Sequence, residues 1–288
     1  MKNILVLTDF SENAKAAENY ALQLAIKVRA NIILYNSFSE INPRIANNVV
    51  WPHDEPVSQE FESISNLEAR VRELKEKLKT TGPSVYHPEI SHFGEVGSLV
   101  QNLNNVVNKY TIWLVVMGTK GEGFVTNLIF GSNVYKVLDE INHPVLIVPH
   151  NADFTTFRQL TFATDFRSND LSIINWLKEF LKPLQATLFV EHVSPENETM
   201  EEVEDKKLTE EILFNETYIR THVETIPGKD IVKSLHEVIE NMNVGIIAML
   251  YRKYGFFESL FHVSTTHKMI KHTQIPVLIF PESGNGNK

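Results

Sequence analysis

An α/β architecture of two successive open parallel sheets is what this sequence predicts, and three observations predict it. Short Val/Ile/Leu-rich runs alternate with stretches of helical spacing along the chain, the pattern of βαβ units with right-handed crossovers. The octet Ile4-Leu5-Val6-Leu7-Thr8-Asp9-Phe10-Ser11 returns as Leu160-Thr161-Phe162-Ala163-Thr164-Asp165-Phe166-Arg167. The hexad Pro144-Val145-Leu146-Ile147-Val148-Pro149 returns as Pro276-Val277-Leu278-Ile279-Phe280-Pro281. Two copies of one domain are therefore expected, over residues 1–150 and 151–288.

The elements follow in order. In the first copy, apolar runs predict strands near residues 3–8, 31–36, 84–92, 112–117 and 144–148, with helices near 12–29, 59–81, 95–109 and 131–141 between them. Leu67, Val71, Leu74 and Leu78 form an apolar stripe at helical spacing, which core packing explains. The second copy predicts strands near 159–164, 186–192, 218–226, 244–250 and 276–280, and helices near 169–182, 201–215, 229–241 and 262–273. Residues 38–58 hold Pro43, Trp51, Pro52 and Pro56 and make the longest irregular stretch, either a binding loop or an ordinary surface excursion. The linker, His150 to Phe157, is short and polar, so the two copies should touch. The last six residues read as a frayed tail.

Composition narrows the function classes. A chain of 288 residues that is 43% hydrophobic can bury a core in each copy. No apolar run approaches the roughly 18 residues of a membrane span, and Ile4–Leu7 is too short for a signal-peptide core. A cytoplasmic location is the simplest expectation. The absence of cysteine removes disulfides, thiolate catalysis and cysteine-ligated metals, and the net charge of −9 opposes non-specific binding to nucleic acid or anionic membrane. His262, His267 and His272 repeat every five residues, a spacing that scatters them around a helix instead of gathering them for a metal.

The segment richest in chemistry follows the strand Ile112–Met117. Gly118-Thr119-Lys120-Gly121 is followed, after nine residues, by Gly131-Ser132-Asn133, and Val134, Val137, Leu138 and Ile141 continue at helical spacing. Glycines at a strand end and small polar residues at a helix start form an anion cradle: successive N–H groups point at a phosphate and the helix dipole favours negative charge. Neither G-x-x-x-x-G-K-[ST] nor a first-strand G-x-G-x-x-G is present. Ligands of open parallel sheets bind beyond the carboxyl ends of the strands, which puts Thr8, Asp9, the end of the second strand and Gly118 on one rim. The plain alternative for the glycines is that they serve turns only.

This spacing resembles the G-x2-G-x9-G-[ST]-N motif of the ATP-binding branch of the universal stress protein family, and Thr8-Asp9-Phe10-Ser11 and the strand at 144–148 resemble that family's aspartate turn and closing strand. The resemblance implies two tandem Rossmann-like, adenine nucleotide α-hydrolase-like domains whose closing strands meet in an intramolecular pseudo-dimer, with further homodimerisation left open. It implies an adenine nucleotide, ATP or else ADP or AMP, with Mg²⁺ accompanying ATP. It also implies contacts from Thr8, Asp9, Ser11, Asn36, Ser37, Met117, Gly118, Lys120, Gly121, Gly131, Ser132 and Asn133. Asp9 would accept hydrogen bonds from ribose or adenine, and backbone near Asn36 and Ser37 would bracket adenine. Tyr35-Asn36 departs from the His-Val pair the family often carries there, whereas His192-Val193 keeps it. Lys120 is either a phosphate contact or a solvated loop lysine.

Aligning the copies sets Leu250 against Gly118, Lys253 against Gly121, Val263 against Gly131 and Ser264 against Ser132, so the second copy has lost its cradle and reads as degenerate, structural or interacting. Three functions remain open. The first is an ATP-binding stress-response module whose ligand sets a conformation that a protein partner reads. The second is a slow ATP hydrolase or nucleotidyl-transfer enzyme using the same pocket, for which Glu122 is the only carboxylate close to the glycines in sequence. The third is a ligand-free scaffold.

Overall fold

The computed structural model describes residues 1–38, 55–82, 85–119, 132–154, 157–166, 170–194, 219–252 and 265–282. The first half runs β1 (Lys2–Leu7), α1 (Glu12–Val28), β2 (Ala30–Phe38), α2 (Glu55–Lys79), β3 (Ile90–Val96), α3 (Leu99–Lys109), β4 (Ile112–Gly118), α4 (Ser132–Glu140) and β5 (Val145–Val148). The second half runs β6 (Gln159–Thr164), α5 (Asp170–Leu181), a 3-10 turn at Lys182–Leu184, β7 (Thr187–Ser194), β8 (Thr221–Pro227), α6 (Ile231–Met242), β9 (Ile246–Tyr251), α7 (Thr265–His272) and β10 (Val277–Pro281). The helix expected at 201–215, residues 39–54 of the long loop and the tail 283–288 lie outside the described residues.

The ten described strands join one sheet in the order β3-β2-β1-β4-β5-β10-β9-β6-β7-β8. Each half is parallel throughout. They meet where β5 and β10 pair antiparallel, Leu146 opposite Leu278, which is the expected pseudo-dimer. Strand alternation sends Ile4 and Val6 to one face, under α1, α2 and α5, and Leu5 and Leu7 to the other, under α3, α4, α6 and α7. Trp113 of β4 stacks on Trp176 of α5 with centroids 5.0 Å apart, and Trp176 meets Phe280 of β10 edge-on. Tyr251 donates to Asp139 across the same seam at 2.6 Å. Phe154 of the linker packs on Tyr20 and Phe157 is buried, so the connection is docked on the core. No described helix is long and apolar enough to cross a membrane.

Three backbone irregularities recur at matching places. Phe10 and Phe166 (φ 64° and 54°) turn the chain after the first strand of each half, Arg29 and Gln185 (54° and 55°) precede the second, and Thr111 and Asn243 (49° and 51°) precede the fourth. A left-handed residue costs roughly 1 kcal/mol unless it is glycine, so each pair marks a turn that both halves need.

The largest departure from expectation is β3, which begins at Ile90 and runs to Val96 instead of covering 84–92. Pro88 has no N–H to give to a ladder, and the chain before Ile90 is held by Asn31, whose side-chain oxygen accepts from Tyr86 Oη and Glu89 N. As an edge strand, β3 also lacks the continuous apolar run that marks a central one. The extension of β3 pushes the start of α3 from 95 to Leu99, after Gly97 turns at φ 121°.

Candidate functional site

At the carboxyl edge of the first half, three adjacent strand ends converge. The Thr8 N–H donates to the Tyr35 carbonyl at 2.9 Å, continuing the ladder one residue past β1. Asn36 Nδ2 donates to the Thr8 carbonyl at 2.7 Å, and Ser63 of α2 donates to Asn36 Oδ1 at 2.7 Å, so the Asn36 amide is locked from both ends. Ser37 is the next residue whose backbone groups face the β1 side, and the β1 register ends opposite Tyr35, so nothing in β1 lies across from it.

The turn after β1 is held by its own side chains. Asp9 Oδ1 accepts from Ser11 N at 3.1 Å and from Ser11 Oγ at 2.6 Å, while Ser11 Oγ accepts from Ala14 N and caps α1. Ser11 is buried and spent on this cap, whereas Asp9, two residues past the end of β1, is exposed. Thr8 donates its hydroxyl to Glu18, buried at 1% exposure, and Glu18 also receives two bonds from Arg70 at 2.7 and 2.6 Å. Burial still raises the Glu18 pKa, against the opposing pull of Thr8 and Arg70.

Met117 is buried in the core under α3 and α4. At Gly118, an added Cβ would sit 2.6 Å from the Asn13 carbonyl oxygen and 2.9 Å from its carbon, so this glycine is demanded by the close approach of α1 to β4. That is a packing reason, where the motif suggested room for a phosphate. Thr119 N donates to the Val148 carbonyl and carries the chain past β5. Lys120, Gly121, Glu122 and Gly131 lie outside the described residues. Ser132 opens α4 and Asn133 is exposed beside it.

The second half repeats this edge with other side chains. Paired registers set Gly118 and Leu250 at one position, since Gly118 lies opposite Val148 in β5 and Leu250 opposite Phe280 in β10. They also set Asn36 and His192 at one position, opposite the residues Thr8 and Thr164 that end the first strands. The His-Val of the second half therefore corresponds to Asn36-Ser37, not to Tyr35-Asn36. The role is shared: the His192 Nδ1–H donates to the Thr164 carbonyl at 3.0 Å, as Asn36 does to Thr8. Thr164 donates to the buried Asp170 as Thr8 does to Glu18. Arg252, two residues past Leu250 as Lys120 is past Gly118, binds both carboxylate oxygens of Asp165, the equivalent of Asp9. Sequence reading missed this bidentate pair because its partners are 87 positions apart.

The family model described as the universal stress protein family matches residues 1–149 and again 156–281. The chain is similar to universal stress protein Slr1230 of Synechocystis, 22% identical over 295 residues, covering 97% of this chain and all of that one. Among solved structures it is similar to a universal stress protein from Archaeoglobus fulgidus, with TM-score 0.75 and 20% identity over 97% of this chain and 98% of the other. It is also similar to a functionally unknown protein from Pseudomonas aeruginosa, with TM-score 0.60 and 16% identity over 98% and 92%. At such identities the likeness speaks for the fold.

Proposed function

The chain belongs to the universal stress protein family, and on that premise we propose that it is a cytoplasmic adenine-nucleotide-binding stress protein whose first domain, residues 1–150, holds one ATP per chain as a conformational signal to a partner. The observation that carries this reading is the convergence of the exposed Asp9, the Ser37 backbone beyond the end of the β1 register and the Gly118 strand end on one rim, with G-x2-G-x9-G-S-N following in sequence up to the start of α4. The residues fit a nucleotide in kind. Asp9 would accept from ribose hydroxyls, the Ser37 backbone would meet adenine, and Gly121, Gly131, Ser132 and Asn133 with Lys120 would meet the phosphates and their Mg²⁺. Met117, Gly118 and Ser11 support that rim through packing and capping.

Among its described residues the second domain, 151–288, offers no equivalent, because Arg252 occupies Asp165 and Leu250 stands at the Gly118 position. Replacing Gly131 by Val, the residue aligned with it in the second copy, tests the reading. ATP affinity measured by calorimetry should fall at least about tenfold, more than one charge-assisted hydrogen bond is worth, while circular dichroism stays native. Wild-type protein should titrate with a stoichiometry of one. Unchanged affinity in the variant, or two equivalent sites in the parent, would overturn the assignment.

A further inference from the structure

At the carboxyl edge of the second domain lies a cavity of about 320 Å³, within the size range of small-ligand sites. Its chemistry differs from that of the first domain most at two paired strand positions. The register sets Glu191 of β7 where β2 carries Tyr35, and Glu224 of β8 where β3 carries Phe93. In the first domain Tyr35, Phe93 and Tyr110 fill this region with a run of ring contacts, successive centroids 4.8 Å apart. In the second, a carboxylate that is 1% exposed lines the cavity, and its Oε2 has no hydrogen-bond partner among the described residues. A buried carboxylate oxygen left unmatched is costly, so an oxygen held in this way marks a position where a ligand donor belongs.

The other polar groups around the cavity decide the sign of that donor. The Nδ1–H of His192 is spent on the Thr164 carbonyl, which leaves Nε2 as an acceptor in the neutral ring. Asp170 is a further carboxylate, already receiving the Thr164 hydroxyl. Arg252 is the cation among the described lining residues, and its guanidinium is taken by Asp165, with Glu282 3.7 Å from its Nε. The walls opposite are apolar, from Ile231 and Leu235 of α6 and Met249 of β9. Among the described residues Glu191 Oε2 is the unmatched acceptor, the Thr265 and Thr266 hydroxyls also line the cavity, and a buried carboxylate oxygen beside hydrocarbon suits a positively charged group on an apolar body. Burial, with the like charge of Glu224 second, pushes the Glu191 carboxyl up to about 7, as expected of an acid that waits for its counter-ion.

We propose that this cavity binds a small organic ammonium ion, with Glu191 as its counter-ion and Ile231, Leu235 and Met249 against its hydrocarbon part. The second domain is then a receptor for a second, chemically different signal, and not a worn copy of the first.

Titration calorimetry of the full chain with primary ammonium ions from ethylammonium to benzylammonium, beside benzyl alcohol and benzoate, tests it. One member of the ammonium series should bind once per chain with a dissociation constant of about 1 mM or tighter, and the alcohol and benzoate at least about tenfold more weakly. Glu191→Gln, which keeps the shape and removes the charge, should weaken the ammonium at least about tenfold. Leu235→Phe, which narrows the cavity from the apolar side, gives a second reading in which binding also falls. Saturating ATP should leave the titration unchanged, which separates this site from the nucleotide site of the first domain. The proposal is overturned if no ammonium binds, if benzoate binds as well, if Glu191→Gln binds as the parent does, or if ATP competes.

Discussion

Tyr35 and Glu191 occupy one position of one fold, and the difference between them runs through the whole edge on which they stand. Around Tyr35 the first domain sets Asn36, Gly118 and an exposed Asp9; around Glu191 the second sets His192, Leu250 and an Asp165 held by Arg252. The backbones beneath are alike, down to the left-handed residues Phe10 and Phe166 and the threonine that anchors each first strand to a buried acid on the next helix. Backbone hydrogen bonds and core packing hold the scaffold, and neither depends on the side chains that face the rim. The exposed side chains of the rim, Asp9 and Asp165 among them, are therefore free to differ in what they bind, whereas Gly118 and the buried Tyr35 answer to packing as well.

The comparison breaks most sharply at Gly118. The Asn13 backbone lies within 2.6 Å of where a Cβ would stand, so even alanine should force α1 off β4 and cost about 3 kcal/mol or more. Urea midpoints of Gly118→Ala against the parent measure it. A loss under about 0.5 kcal/mol would mean that α1 yields easily and that the two domains tolerate the same residues here.

Glu191 sharpens the comparison through pH. A carboxyl whose native pKa is raised from 4.5 to about 7 keeps its proton in the folded chain while the unfolded chain loses it, so its contribution to stability falls as pH rises from 4.5 to 7 and levels off above. The full swing is on the order of 3 kcal/mol. Tyr35, pushed up to about 12 by burial, contributes no such slope near neutrality. Midpoints at pH 5 and pH 8 should therefore differ less in Glu191→Gln than in the parent, and parallel slopes in the two proteins would show that Glu191 does not titrate in this window.

The smallest effect belongs to Arg252 and Asp165. Their side chains are 22% and 38% exposed, so Arg252→Met should change stability by no more than about 1 kcal/mol. It should also fail to create a second ATP site, because Leu250 remains. A second equivalent site in that variant's titration would show that the ion pair alone separates the two rims.

Much of this was legible in the chain itself. Continuous apolar runs located the central strands within a residue or two, and the repeated octet and hexad showed two copies and the two strands that join them. Such features are local or recur in order, so a linear reading finds them. Edge strands were read less well, because β3 is partly exposed and takes its start from Pro88 and Asn31 rather than from its own hydrophobicity.

By itself the sequence determined the α/β class, the duplication and the family, since each is written in periodicity or in motifs of neighbouring residues. Tertiary structure alone decided why Gly118 must be glycine, which residue of the first domain answers to His192, that Arg252 closes on Asp165, and that Glu191 faces a cavity instead of solvent. The physical reason is common to all four. Each depends on groups brought together by parallel strands and the helices packed on them, and the energy of such a meeting lies in the distance between partners, which no spacing along the chain records.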